Sequence, residues 1–496
     1  VLSRDVQFII EISSGKIRIW SDGINGLEPM TFSGSDYIAA PWTGTQVSQV
    51  RWAQYYDQMI FVQKNHKMRV LRYLSGNFTF GEFDIITDLV KYGKGSDYFG
   101  MREDGYPSVI AICQNRLYLA NTAAEPHTVW ISRVYSDEGG LSDFSTYDIV
   151  TDEQEILSDP STWPLKPEED EDGNVVTDEN GDIVYTDQYD FSDPSKLKTT
   201  VTNEDEVVTA ECAMKIQLNS GRNDAIRWIS SFDNIYIGTD GSEWMLPYSI
   251  NALDQSASRV SSFGSSEAGS DSLSSGLLFV KKGGMVEEIT VSSSGMAIND
   301  LTYTADHISS SGVSGITCLG SPMPMVILSL SDGTIGVCTY DARYQIQGWS
   351  HWETGGDISS LCVIDGNIHE RLIAVVADEI GSGLYEFDFD ETQSYSDDTF
   401  GEYASYLVTN RWDISTDSGV TLGRTKTISQ MILRCLDSGK ARIGYKDGYM
   451  QETEFDSSDV SVPISGGADK ELRLRIESVG DYPLDVLALA FDMGVN

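Results

Sequence analysis

The sequence predicts an all-β chain: a β-propeller-like array of repeated hairpins with an acidic insertion and a separate C-terminal β-domain. Three observations predict it. Short apolar stretches recur in pairs around tight polar turns. Glycine is abundant at 45 residues and proline modest at 13, which suits many short strands joined by turns. Helical periodicity is rare, and only Ser270–Leu277 is expected to carry a helical turn or two.

The hairpin is the repeating element. It appears in Glu11–Trp20, Gln54–Gln63, Ala111–Ala120, Ile229–Thr239, Leu277–Ile289, Ile327–Tyr340 and Leu372–Phe387. Each turn carries Gly, Asn or Asp, residues that tolerate the left-handed conformation of a tight hairpin. The turn residues Gly15, Asp57, Asn115, Asn234, Gly283, Asp332 and Gly381 are spaced by 42, 58, 119, 49, 49 and 49. A unit of about fifty residues with one long gap is the period of propeller blades, against a competing series of β-sandwiches with coincidental spacing.

An insertion explains the long gap. Residues 152–206 are acidic and punctuated by Pro and Gly, and are read as a projecting loop or small β-subdomain, with GNVV and GDIVYT as a small hairpin. Past Thr399 the rhythm changes to alternating strands, with Phe491 near the last. Residues 1–151 thus hold the first hairpins, 207–398 the remaining blades and 399–496 the C-terminal β-domain.

Charge is the extreme feature: 76 acidic against 34 basic residues, a formal net charge of −42 and no Lys/Arg run. Such a surface repels duplex nucleic acid. It either keeps a large protein soluble or forms a wall that DNA passes without sticking. Cys113, Cys212, Cys318, Cys338, Cys362 and Cys435 lie apart in mostly apolar settings. They are expected to be buried free thiols of a protein assembled in a reducing compartment. No apolar run is long enough to span a membrane as a helix. A chain opening on Val1, in what reads as a strand, is expected to be a fragment or a processed product.

No catalytic, cofactor-binding or metal-ligating residue is assigned, and no cofactor. Asp170–Asp182 (DEDGNVVTDENGD) departs from the spacing of a calcium loop and reads as a solvated acidic loop. His66, His127, His307, His351 and His369 lack zinc-site spacing. Nucleophile-elbow, P-loop and dinucleotide motifs are missing. Ser331–Gly333 lacks the full sialidase-type turn, and the Trp412–Asp413 dipeptide lacks its repeat context. Trp20, Trp52, Trp130, Trp228, Trp244, Trp349 and Trp352 are expected to pack within or between blades, with a sugar platform as the competing reading.

Tyr106–Phe144 carries Tyr106-Pro107, an apolar strand, Gln114-x-Arg116-Leu117, a small-residue turn, Pro126, Val129-Trp130-x-Ser132 and a distal Phe144. This ordered set resembles the tail nozzle (tail tubular) proteins of short-tailed, podovirus-like bacteriophages. Arg69–Phe83, Ile226–Leu246, Leu301–Gly312 and Asp341–Trp349 resemble further landmarks in the same order, so the likeness covers roughly Ile17–Asp390. The acidic insertion and the C-terminal domain have no counterpart in it. The resemblance implies a non-enzymatic structural virion protein, assembled in the host cytoplasm as a homohexameric ring below portal and adaptor. Tail fibre or needle proteins would be further partners, and genome DNA would pass the channel at ejection without specific binding. Arg116, Trp130, Ser132 and Trp244 would then define the fold. The alternative is a glycan-binding or glycoside-hydrolysing β-propeller, which needs clustered exposed aromatics and a carboxylate pair in one pocket. A third reading, a bacterial surface adhesion protein, would need an export signal, which a fragment would not have to carry.

Overall fold

The computed structural model describes residues 6–23, 26–32, 34–93, 105–137, 139–157, 163–193, 198–292, 295–303, 305–366, 369–377, 381–387, 405–409, 415–416, 419–420, 423–436, 438–446, 448–455, 459–465, 468–479 and 484–495. Val1 and the Trp412–Asp413 dipeptide lie outside them. Among the described residues the protein is all-β, with one short α-helix, Asp88–Tyr92, and one 3-10 turn, Gly44–Gln49.

Seven antiparallel sheets follow one another along the chain. Their first strands are Ile9–Ser13, Arg51–Tyr55, Val109–Cys113, Ile226–Ser231, Ser265–Leu273, Val313–Leu319 and Asp357–Ile364. The first five are four-stranded, the sixth continues past its own four strands into the C-terminal domain to make eight, and the seventh has three described strands. All seven expected hairpins form, but they are of two kinds. The first four join first to second strands, as in Glu11 opposite Arg18, whereas the last three join second to third strands, as in Leu277 opposite Ile289. The run of equal 49-residue spacings therefore mixes unlike turns. The first strands themselves start 42, 58, 117, 39, 48 and 44 residues apart.

Alternation within each second strand explains the stacking, because successive side chains point to opposite faces. In Gln58–Gln63, Phe61 packs toward the first sheet while Ile60 and Val62 pack toward the third. In Arg116–Ala120, Leu117 and Leu119 face the second sheet, and Tyr118 and Ala120 face the fourth. In Gly276–Lys281, Leu277 and Phe279 face the fourth sheet, and Leu278 and Val280 the sixth. Strands apolar on both faces read as continuous hydrophobic runs. Each such side chain contributes roughly 1.5–3 kcal/mol by burial, so six cores between consecutive sheets hold the array in a propeller-like stack. Its ends meet where Gln7 Nε2 donates to the Asp365 carbonyl at 2.8 Å, joining the start of the first sheet to the end of a strand in the seventh.

The insertion leaves the third sheet after its third strand, Thr128–Ile131, and returns as its fourth, Met214–Gln217. Its stem is a ribbon of Asp148–Leu157 against Lys198–Val207, ten pairs in unbroken register. Beyond it lies a small sheet built on Leu165–Pro167 and Tyr185–Tyr189. The expected hairpin forms, with the Val184 N–H donating to the Val176 carbonyl at 3.0 Å and Thr177 opposite Ile183, and a second tight turn precedes it. The Asp170 carboxylate accepts from the backbone N–H of Asp172 and Asn174, and that of Asp178 from Asn180 and Asp182. Asp at the head of an Asx turn favours that closure.

Two expectations need correction. Ser270–Leu277 is not helical: Ser265–Leu273 is a strand that turns into Gly276–Lys281, its ladder held by Phe279 and Leu278 opposite Ser270 and Asp271. The C-terminal domain is not fully separate. It has its own core around Ile428, Met431, Leu433, Ile443, Leu474 and Ile476, and Phe491 lies in its last strand, Asp485–Val495. Yet its strand Ser405–Val408 pairs with Ile346–Trp352 and extends the sixth sheet through Leu474–Ser478 to Lys440–Tyr445 and Met450–Glu454.

Candidate functional site

The densest polar cluster sits where the acidic arm leaves the third sheet. Gln114 and Asn115 both adopt positive φ, 52° and 56°, closing a tight hairpin that delivers Arg116 to the start of the central strand. The guanidinium is buried and faces backbone carbonyls. Its Nη1 donates to Ser132 at 2.8 Å and Cys212 at 3.0 Å, and Nη2 to Ala210 at 2.7 Å. The Ser132 hydroxyl accepts from the Leu117 N–H and donates to the Arg133 carbonyl, both at 2.8 Å. Arg133 donates to Asp148 at 2.9 Å, and Lys91 from the short helix to Asp143 at 2.9 Å. Burial alone would raise the Asp148 pKa; Arg133 and Lys91 reverse that and hold it below the usual carboxylate range. These charge-assisted bonds clamp both feet of the arm.

A second group is the buried carboxylates of the fourth to sixth sheets. Glu243 accepts from Ser265 Oγ at 2.9 Å and from Ser261 Oγ, tying the fourth sheet to the fifth. Glu288 accepts from Ser275 Oγ at 2.8 Å and from the Tyr340 hydroxyl of the sixth sheet. Glu287 pairs with Lys281, and its pKa is raised by burial, with Asp300 and Glu243 adding. All three are buried. Their partners are hydroxyls and an ammonium: Glu243 and Glu288 act as inter-sheet pins, whereas Glu287 and Lys281 pair within the fifth sheet.

The junction with the C-terminal domain is a third cluster. His307 Nδ1 accepts from Arg473, and Arg475 lies 3.8 Å from the centre of the Tyr406 ring. The Tyr406 hydroxyl meets His351 Nδ1 at 2.6 Å, and Thr334 Oγ1 meets its Nε2 at 2.8 Å. Burial lowers the His307 pKa to about 4, helped by Arg473 and Lys446.

The arm's small sheet is the opposite case. Leu165 lies opposite Tyr189, Pro167 opposite Tyr185 and Thr177 opposite Ile183, so these side chains share one face. That face is open: Tyr185 is 52% and Phe191 60% exposed. Trp163 sits edge-on to both Tyr189 and Phe191, with ring centroids 5.4 and 5.7 Å away.

Arg116, Trp130, Ser132 and Trp244 are all buried. Trp130 packs under Lys215, whose Nζ is 5.9 Å from the ring centre. Trp52, expected in a blade core, is instead 55% exposed, and Trp42 takes that place against Phe61 and Phe80. All six cysteines are free thiols; burial pushes Cys113 and Cys338 up to about 12. The Lys91–Asp143 and Arg133–Asp148 pairs went unread in the sequence, because their partners are up to 52 residues apart. Among the described residues, no helix is long and apolar enough to cross a membrane, and no group of three metal-ligating side chains comes together.

No family model matches the chain, and no curated protein matches it. Among solved structures it is similar to one titled BBS1N in complex with ARL6DN, soaked with lead. That likeness has 11% identity and a TM-score of 0.30 over 70% of this chain and 94% of the other. At that level it adds nothing to the architecture read from the strands.

Proposed function

We propose that the chain is a structural virion protein, a subunit of a phage tail nozzle ring that extends the DNA-ejection channel below portal and adaptor. The observation that carries this reading is the ordered landmark set of Tyr106–Phe144. Its most distinctive members, Arg116, Trp130 and Ser132, serve as scaffold: a buried guanidinium on carbonyls, a buried indole and a hydroxyl bridging two backbone groups. A residue set kept for scaffolding fits a part whose product is a shape. The net charge of −42 supports a wall along which DNA slides. In this role the chain assembles with copies of itself, contacts portal, adaptor and tail fibre or needle proteins, and resides in the virion after assembly in the host cytoplasm.

Negative-stain imaging of the full chain, alone and with its portal and adaptor, tests the proposal. A ring with a central channel is expected. Persistent monomers in both conditions, or a ring with a basic lumen, would overturn it. Hydrolysis of a glycan, or binding on a glycan array without ring formation, would favour the carbohydrate alternative.

A further inference from the structure

We infer that the acidic arm of one copy docks its exposed apolar face onto the first and second sheets of a neighbouring copy. The inference deepens the ring reading and rests on it for the presence of a neighbour. Three observations carry it. The first is the arm's open face, a contiguous apolar surface of Leu165, Val175, Ile183, Tyr185 and Tyr189 with Phe191 beside it, of the kind that marks a contact site.

The second is charge. Residues 148–207 hold 19 acidic side chains and three lysines, a net −16. The second sheet, Arg51–Glu82, runs the other way: Arg51, Lys64, Lys67, Arg69 and Arg72 against Asp57 and Glu82, a net +3 in a chain of −42, with Glu82 paired to Lys67 and Arg69. On this basic sheet Trp52, Tyr56 and Leu74 stand exposed. The third is shape. Between the first two sheets lies a small open recess lined by Phe8, Ile10, Met59, Leu71, Tyr73 and Phe78 together with Gln54, Asp57 and Gln58, an apolar hollow against which an aromatic side chain can pack.

The occupant is a second copy and not the arm's own chain. The ribbon keeps its ladder over ten pairs without a bulge. Such a stem carries the tip about 33 Å along the strand direction, away from the third sheet that roots it. A contact joining two different patches is head-to-tail, the type that closes into rings.

The test uses the full chain in light-scattering and negative-stain measurements, with thermal melting as the control for folding. Tyr185→Ser/Tyr189→Ser/Phe191→Ser is expected to weaken assembly at least tenfold with unchanged melting, as loss of an anchor cluster does. Lys67→Glu/Arg72→Glu is expected to weaken it similarly, and adding Glu168→Lys/Asp187→Lys to restore it. Mixing Tyr189→Cys chains with Leu74→Cys chains under oxidation should give a cross-linked pair. Rings that survive the triple serine variant without cross-linking would overturn the docking while leaving the ring reading intact. A cross-link formed within one chain carrying both cysteines, and never between chains, would also overturn it. A wild-type chain that stays monomeric would overturn both.

Discussion

The root and the tip of the arm invert each other. At the root, polar groups are buried or half-buried and each named one is met: the buried Arg116 by carbonyls, the buried Ser132 by an N–H and a carbonyl, the half-buried Asp148 by Arg133. At the tip, aromatic groups stand in water and touch one another edge-on. The root is finished inside one chain, since leaving a buried polar group unpaired costs more than pairing it gains. The tip is finished only if something covers it. Rigid anchorage and an open apolar end are what a docking arm requires.

The largest expected effect lies beside the root. Trp130→Ala removes a fully buried indole between the second and third sheets and should cost about 3–5 kcal/mol, read from the denaturant midpoint. Tyr189→Ser at the tip should stay within about 0.5 kcal/mol. Equal losses at the two sites would break the comparison.

Arg116→Met tests the polar half of the root. It keeps much of the stem's volume but strands the carbonyls of Ser132, Ala210 and Cys212, for an expected loss of about 3 kcal/mol. Hydrogen exchange should speed up around residues 208–213 and not at the tip. Arg116→Lys, with a single ammonium in place of the fork, should recover only part of the loss. Full recovery would mean that charge alone holds the feet.

The root was legible in sequence as a motif but not as a mechanism. Gln-x-Arg-Leu and Trp-x-Ser stood out, and the hairpin turn within the first of them followed from Asn115. What Arg116 holds did not, because Ala210–Cys212 lies beyond an insertion of some fifty residues. The repeat was legible for the same local reason: turns and alternation act over a few residues. The mixture of first and second turns was invisible, since both kinds use Gly, Asn and Asp; the left-handed residue of the second hairpin is in fact Tyr56, at φ 48°. The joining of the C-terminal strands to the sixth sheet depends on His351 opposite Tyr406, a pairing that no local pattern encodes.

The junction offers a contrast in pH. His307 accepts from Arg473 through Nδ1, which requires the neutral ring, and its pKa in the fold is about 4 against an ordinary 6.5. Arg473, Lys446 and His351 oppose its protonation, and Asp306 favours it. The unfolded chain therefore takes the proton first: this contribution is whole above pH 6.5 and is lost as pH falls toward 4. With solvent screening the loss is on the order of 1 kcal/mol. Intrinsic fluorescence against urea at pH 7 and pH 4.5 should show the C-terminal domain loosening first. His307→Gln should flatten that dependence, whereas a root variant should not.

The smallest effect belongs to the arm's own turns. The Asp178 carboxylate is fully exposed and bonded to the backbone N–H of Asn180 and Asp182; those bonds lower its pKa. Asp178→Ala should speed hydrogen exchange at these two amides and leave melting unchanged, because the turn touches water and not a core. The same loosening should appear in unmodified protein only well below the pH at which a free aspartate protonates, since the bonded carboxylate holds its charge longer. If Asp178→Ala also lowers the melting temperature, the tip is coupled to the propeller-like stack. The arm would then be a strut of one subunit, with no free end to offer another.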